Sequence, residues 1–307
     1  MTATAPTIGL DLGGTKIAAA LVASDGTVLA RHTRPTPATD GPEAVLDALA
    51  AAARSVGGGA GALGVAAAGV IDPATGTVTS ATDSIRGWAG TALAAGLAAR
   101  TGLPVACDND VRATAAPELA AAGAGASLVY VAIGTGVGGA VAVNGHMVHG
   151  SRGIAGHLGH VPSPEAAGLP CTCGATGHLE VVASGPGIAA LYGRLTGRPV
   201  DRLETVAARA ASGEEQAVRA IVTGAVAAGR VLGGLANTLG PDRVVVGGGV
   251  PHIGALYRDA LAEAFTAELM PPLAGLRPSR PLFGADAAVI GAARLPSQLP
   301  LHVPPAP

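Results

Sequence analysis

Gly9-Leu10-Asp11-Leu12-Gly13-Gly14-Thr15-Lys16 is the stretch that decides the fold, and it has a counterpart far along the chain in Gly134-Thr135-Gly136-Val137-Gly138-Gly139. Around the first, Thr7 to Leu12, Ile17 to Ala23 and Thr27 to Arg31 are short β-prone runs split by Gly13-Gly14 and Asp25-Gly26, the pattern of a strand-turn meander. Around the second, Ser127 to Ile133, Gly138 to Val143 and the stretch after Asn144-Gly145 repeat that theme, with Asn-Gly as the hairpin signal. The intervening segment alternates helix and strand. Pro42 to Val56 is helical with an alanine-rich face, and Ala62 to Ala68 reads as a buried strand. Ala89 to Arg100 reads as a helix closed by Gly102, Pro104 to Cys107 as a strand, and Asp110 to Ala122 as a helix that Pro117 could kink. Two halves, each opening on a glycine turn, predict an internal duplication in an α/β fold. Beyond the second meander the pattern gives helices at Gly187 to Leu195, Leu203 to Ala211 and Glu214 to Leu239. A strand from Arg243 to Val246 then runs into Gly247-Gly248-Gly249, followed by a helix from Ile253 to Leu269, a strand near Pro281 to Phe283 and a last helix from Ala287 to Leu295. The tail from Pro296 to Pro307 has no apolar periodicity and reads as a loose extension. These elements predict a smaller lobe over 1–115 and a larger one over 116–295, with the last helix able to pack back on the first lobe.

At 307 residues the chain exceeds the usual span of one compact core, so two domains sharing a cleft are expected. With 19 Lys+Arg against 21 Asp+Glu and no basic run, nothing could neutralise several phosphates of a nucleic acid, which excludes that class of partner. The start Met1-Thr-Ala-Thr-Ala-Pro6 lacks the basic residues and apolar run of a signal peptide. Alanine-rich stretches elsewhere are broken too often by Gly, Pro or charge to span a bilayer, so a cytoplasmic protein is expected. Three cysteines, two of them in Cys171-Thr172-Cys173, fit metal binding in a reducing compartment better than a disulfide framework, and Cys107 reads as a small buried residue.

Consecutive glycines between two strands let backbone N–H groups approach phosphate oxygens, while a carboxylate such as Asp11 at the end of the first strand can position a hydrated Mg²⁺. The same residues also describe a tight hairpin with a surface Asp, and the spacing is not that of a Walker loop. The second turn formally matches Gly-x-Gly-x-x-Gly. A strand rather than a helix follows it, and no acidic residue stands about 20 positions on, so a dinucleotide site is excluded. A second phosphate-binding hairpin fits, with Thr135 able to add its hydroxyl. At Gly247-Gly248-Gly249 the missing side chains suit either a flat ring such as adenine or plain helix-strand packing. In Asp108-Asn109-Asp110 a helix cap explains one residue, and three exceed what a cap needs. A kinase acting on an alcohol needs a carboxylate to accept the hydroxyl proton and a neighbour to orient the sugar, roles assigned to Asp110 and Asn109. His160, Cys171, Cys173 and His178 make a four-ligand set for tetrahedral zinc with no open position for water, hence a structural metal. His157 lies three residues before His160, so the metal could also orient a sugar-facing imidazole, and Glu180 sits two residues past the last ligand.

The whole series resembles the ROK family of sugar kinases and sugar-responsive repressors. Its stations are Leu10-Asp11 to Lys16, Ala68-Gly69-Val70-Ile71-Asp72, Asn109-Asp110, Gly134 to Gly138, Ala155-Gly156-His157-Leu158-Gly159-His160, Cys171 to Gly174 with Gly177 to Glu180, Ser184-Gly185 and Gly247 to Gly249. The resemblance implies a two-lobed actin-like fold of the hexokinase and ribonuclease H type, with a structural zinc loop. It implies Asp110 as general base, with Asn109, His157, His160, Glu180 and the Gly69 backbone around the sugar. ATP with Mg²⁺ is implied between the two glycine turns (Asp11, Gly13, Gly14, Thr15 and Lys16; Gly134, Thr135, Gly136 and Gly138) and at Gly248, in a homodimer. His160 is then expected to serve zinc through one ring nitrogen and sugar through the other. Two positions depart from the family pattern: its usual third cysteine is His178 here, and family glucokinases usually carry Glu where this chain has His157. The Gly-His-x-Gly-His form resembles N-acetylmannosamine kinases. The expected activity is transfer of the γ-phosphoryl group of ATP to the 6-hydroxyl of glucose, N-acetylmannosamine or an amino-glucose such as kanosamine. The alternative is a sugar-binding regulator of the same family without catalysis. Repressors of the family carry a helix-turn-helix domain ahead of the first glycine turn, for which a first strand near Thr7 leaves no expected room.

Overall fold

The computed structural model describes residues 5–304, and the chain divides into two compact units. Unit 1 runs to Ala121 and takes in His149–Ala155 and the chain from Phe283 onward; unit 2 comprises Ala122–Val148 and Gly156–Leu282. The boundary expected at 115/116 would fall inside the helix Asp110–Ala122, all but the last residue of which lies in unit 1.

In unit 1, β1 (Thr7–Leu12), β2 (Lys16–Val22) and β3 (Val28–Pro35) form an antiparallel meander, followed by α1 (Pro42–Ser55) and β4 (Ala62–Ala67). A small hairpin, β5 (Val70–Asp72) with β6 (Thr77–Ser80), precedes α2 (Leu93–Thr101), β7 (Val105–Asn109) and α3 (Asp110–Ala122). The sheet order is β3-β2-β1-β4-β7, with β1, β4 and β7 parallel. Alternation along β1 sends Ile8, Leu10 and Leu12 into a core shared with Val45, Leu46 and Leu49 of α1 and Leu93 and Leu97 of α2. Gly9 is needed on the opposite face. A Cβ there would lie 1.9 Å from the Val289 carbonyl oxygen of the C-terminal helix Ala287–Arg294, which packs on the sheet at that distance only over glycine.

Two expectations are corrected in this part of the chain. No strand forms at Pro281 to Phe283; the pairing segment is Pro278–Ser279, in unit 2. The tail is not loose through its described residues, since His302 exchanges backbone hydrogen bonds of 2.9 and 2.8 Å with Val105 on the edge strand β7, while 305–307 lie outside the described residues.

Unit 2 repeats the plan. Strands β8 (Leu128–Ile133), β9 (Val137–Val143) and β10 (His146–Met147) form the meander, and β11 (Arg243–Gly247) and β12 (Pro278–Ser279) run parallel to β8 in the order β10-β9-β8-β11-β12. Helices α4 (Glu180–Ala183), α5 (Gly185–Thr196), α6 (Leu203–Ala211), α7 (Glu215–Leu239) and α8 (Ala255–Glu268) complete it. Their buried residues share one core with β8 and β11. By length and composition alone α7 could cross a membrane, contrary to the expectation from its broken alanine pattern, yet half of that window is buried. Its Gly229 and Gly233 admit α8, with Leu261 and Phe265 carbonyl oxygens 2.4 and 2.8 Å from where their Cβ atoms would be.

Candidate active site

The parallel strands of unit 1 end in register, Asp11 beside Ala66 and Ala66 beside Asp108, so the acidic residues of β1 and of the β7–α3 junction are gathered at one edge of the sheet. The Asn109 Oδ1 atom accepts the Val111 and Arg112 N–H groups at 3.0 and 3.3 Å, which makes Asn109 the cap of α3. Its Nδ2 donates to the Gly69 carbonyl at 3.0 Å and to Asp110 Oδ1 at 2.9 Å. Both donors and both lone pairs of the amide are therefore engaged. Burial pushes the Asp110 carboxyl above its ordinary range, against the pull of the Val111 N–H, Asn109 and Arg112. Asp11 is raised to about 6 by burial and by the charge of Asp110, with Lys16 opposing. Two carboxylates close enough to repel suit one proton acceptor and one cation-positioning group. The turn beside them is tight: the Gly13 N–H donates to the Lys16 carbonyl at 3.0 Å, while Thr15 and Lys16 are exposed.

Asp108 is not a surplus cap. It is 2% exposed and receives both Arg112 (2.7 Å) and His149 Nε2 (2.9 Å). Burial drives its carboxyl up, but the His149 hydrogen bond and the Arg112 charge and hydrogen bond together hold it below the usual carboxylate range. Arg112 and His149 were missed from sequence, although Asp108 and Arg112 have the i,i+4 spacing of a helical ion pair.

In unit 2 the second glycine turn is held from two sides. Gly185 N–H donates to the Gly134 carbonyl at 2.8 Å, and Val137 N–H donates to Glu180 Oε2 at 2.8 Å. A Cβ on Gly136 would stand 2.7 Å from that same Oε2. Glu180 thus lies directly on the turn, a contact across 43 residues that no local pattern signals. Gly134 N–H is also engaged, with Gly136 O at 2.9 Å, and Thr135 is exposed. Gly248 has φ +89° and would place a Cβ 2.3 Å from the Ile133 carbonyl, so packing against the end of β8 accounts for it; Gly249 opens on empty space.

The proposed zinc ligands converge. Ligand atoms of His160, Cys171, Cys173 and His178 all lie within 4.8 Å of one another. His160 Nδ1 is 3.3 Å from His178 Nδ1 and 3.7 Å from Cys171 Sγ, and Cys173 Sγ is 3.3 Å from His178 Nδ1. Bonds of about 2.0 Å to nitrogen and about 2.3 Å to sulfur around one tetrahedral ion demand separations of this size. The loop is pre-shaped by backbone bridges Pro162–His178 and Pro170–Thr176, and by Gly174 and Gly177 at φ +92° and +80°. His160 turns Nδ1 to the cluster, leaving Nε2 for another partner. Burial lowers its pKa, Glu180 raises it, and His178 and His157 lower it further. His157 is half-buried and stacks on His160 with ring centroids 6.5 Å apart.

The fold is similar to those of solved sugar kinases. A ROK hexokinase from Thermus thermophilus is 34% identical, with a TM-score of 0.83 over 94% of this chain and 96% of that one. A ROK family glucokinase from Streptomyces griseus, solved with glucose and AMPPNP, is 31% identical, with a TM-score of 0.76 over 94% and 98%. The fold is the actin-like α/β fold of these kinases. Residues 7–298 match the ROK family, and an N-acetylmannosamine kinase from Escherichia coli is 36% identical over 264 residues, 85% of this chain and 88% of that protein. The chain belongs to the ROK family.

Proposed function

We propose that this chain is an ATP- and Mg²⁺-dependent kinase that phosphorylates the 6-hydroxyl of a hexose or amino-hexose. The observation that carries the reading is Asp110, a buried carboxylate with a raised pKa, fixed by Asn109 and the Val111 N–H, with Asp11 and a glycine turn beside it. Asp110 accepts the proton of the attacking hydroxyl, and its raised pKa brings it nearer the working pH of a general base. Asn109 first orients Asp110; a sugar hydroxyl would reach its amide by replacing the Gly69 bond. His157, His160 through Nε2, Glu180 and the Gly69 backbone are the other sugar contacts. Asp11 positions Mg²⁺. With the N–H groups of Gly13, Gly134 and Val137 already engaged, phosphate contact falls to Gly14, Thr15, Thr135 and Gly136, with Lys16 supplying charge. Zinc supplies no chemistry to the transfer and holds the loop that carries His160 and Glu180.

The acceptor is narrowed by His157. An imidazole donates one hydrogen bond and accepts another where a carboxylate only accepts, which suits the carbonyl of an acetamido substituent near C2. The kinship with N-acetylmannosamine kinase points the same way. ATP consumption measured with glucose, N-acetylmannosamine, glucosamine and kanosamine tests the reading, and failure to phosphorylate any of them would sink it. His157→Glu should move the ratio of kcat/KM values toward glucose by about 10-fold, an effect the size of one good hydrogen bond, with zinc content unchanged.

A further inference from the structure

Two of the buried charges in unit 1, Asp108 and Arg112, are unused by the chemistry above. Arg112 is 1% exposed: its Nε donates to Asp108 Oδ1 at 2.7 Å, Nη2 lies 2.7 Å from the same oxygen as an ion-pair contact without a hydrogen bond, and Nη1 donates to the carbonyls of Gly153 and Ala155 at 3.0 and 3.1 Å. His149 Nε2 meets the other Asp108 oxygen at 2.9 Å. Both ends of the segment His149–Ala155 are therefore tied to the β7–α3 junction, His149 to Asp108 at the end of β7 and Ala155 to Arg112 in the first turn of α3. The middle of the segment meets β5, where a Cβ on Gly153 would lie 2.5 Å from the Ile71 carbonyl. The circuit closes through Asn109, whose amide joins the Gly69 carbonyl to Asp110. In sequence the segment runs directly into Gly156-His157.

We infer that Asp108, Arg112 and His149 form a positioning clamp that fixes His149–Ala155 on the α3 N-terminus and so holds Asp110 and the lead-in to the Gly156–His160 motif in working geometry. The inference rests on Asp110 being the base. The planar guanidinium is what the site uses, donating from Nε to one carboxylate oxygen and from Nη1 to two carbonyls, and a lysine cannot reproduce that geometry. Burying an ion pair carries a desolvation penalty that a surface pair avoids. This one is sealed at the foot of the helix that carries the base.

Removing one partner would strand a buried charge, so the informative variant replaces both, Asp108→Asn with Arg112→Met, which leaves no unpaired ion. Arg112→Lys is its companion, retaining charge without the planar guanidinium. Arg152 is exposed within the clamped segment, and trypsin cleavage after it, mapped by mass spectrometry, reports release of the segment independently of activity. With ATP and glucose or N-acetylmannosamine, the double variant should lose about 100-fold in kcat, the usual result of misplacing a reacting group by an ångström, with KM for ATP unchanged. Cleavage at Arg152 should accelerate about 10-fold, the ratio expected when one or two local bonds are lost, and Arg112→Lys should fall between wild type and double variant on both measures. A folded double variant as resistant at Arg152 as wild type overturns the clamp. Faster cleavage with wild-type kcat overturns its catalytic role. If the wild-type protein itself transfers no phosphate, it is the kinase reading that fails, and the cleavage rates still decide the clamp.

Discussion

Units 1 and 2 share a strand plan, an antiparallel meander whose first strand continues into two parallel neighbours, and they differ in what that plan carries. In unit 1 the strand ends bear carboxylates, Asp11 on β1 and Asp108-Asn109-Asp110 at the β7–α3 junction. In unit 2 the end of β8 is Ala132-Ile133, β11 runs into three glycines, and β12 is two residues long. Its carboxylate comes from outside the sheet, when Glu180 folds back from the zinc loop onto Val137 N–H. Duplication reproduces the backbone frame while the chemistry is placed separately in each copy. Unit 1 gathers its carboxylates at strand ends, where positions are rigid. Unit 2 brings Glu180 in from a loop outside the sheet.

That difference predicts unequal sensitivities. The largest belongs to unit 1: Asp110→Asn keeps the shape and the Asn109 contact while removing proton acceptance, so kcat should fall by about 10³-fold or more with sugar affinity nearly intact. Turnover within 10-fold of wild type would remove Asp110 from the mechanism. Unit 2 should instead fail through its metal. Chelation, or Cys171→Ser, should release the loop bearing His160 and Glu180 and raise KM for sugar by about 100-fold, the upper range for lost support of a ligand shell, with KM for ATP affected less. Metal analysis showing one zinc per chain in the active protein, absent after chelation, accompanies that result; full sugar affinity without metal would show that the loop stands unaided.

The frame was legible in sequence where one face of an element is buried, and the site only where its residues are neighbours. The bounds of β1 were readable because Ile8, Leu10 and Leu12 alternate into one core, and α3 because Asp108-Asn109-Asp110 precedes an alanine-rich run. The β5–β6 hairpin carries too few residues to show a period. The third parallel strand of unit 2 was expected at Pro281 and lies at Pro278–Ser279, because its place is set by Val244 and Val245 of β11 rather than by its own sequence. His302 on β7, Glu180 on Val137 and Arg112 on Ala155 are likewise pairings across long separations. The four candidate metal ligands His160, Cys171, Cys173 and His178 sit within 19 residues, so their grouping was legible for that reason.

The carboxylate pair of unit 1 also leaves a pH signature that unit 2 should lack. Asp11 titrates near 3.8 when unfolded and about 6 when folded, so the folded state holds its proton more tightly. Its contribution to stability is complete below pH 3.8 and is lost as pH rises through 6, beyond which the charged, buried Asp11 is a burden. Asp11→Asn should therefore stabilise the Mg²⁺-free protein by about 2 kcal/mol at pH 7.5, and the gain should disappear near pH 4. Denaturant unfolding at both pH values checks this. An equal gain at both would assign the effect to something other than the proton.

The finest test sets the two glycine turns against each other. A methyl on Gly14 would meet Ser84 at 3.4 Å, a contact that a small adjustment relieves, whereas on Gly136 it would stand 2.7 Å from Glu180 Oε2. Neither residue has a positive φ, so backbone strain does not enter. In the second turn the methyl can be accommodated only if the carboxylate swings away from the Val137 N–H it accepts. Gly136→Ala should therefore weaken sugar affinity about 10-fold, the cost of one charge-assisted hydrogen bond. Gly14→Ala should leave sugar affinity unchanged and touch only KM for ATP. If Gly136→Ala instead alters ATP alone, Glu180 is a brace for the turn rather than a sugar ligand, and the asymmetry between the halves narrows to the carboxylates of unit 1.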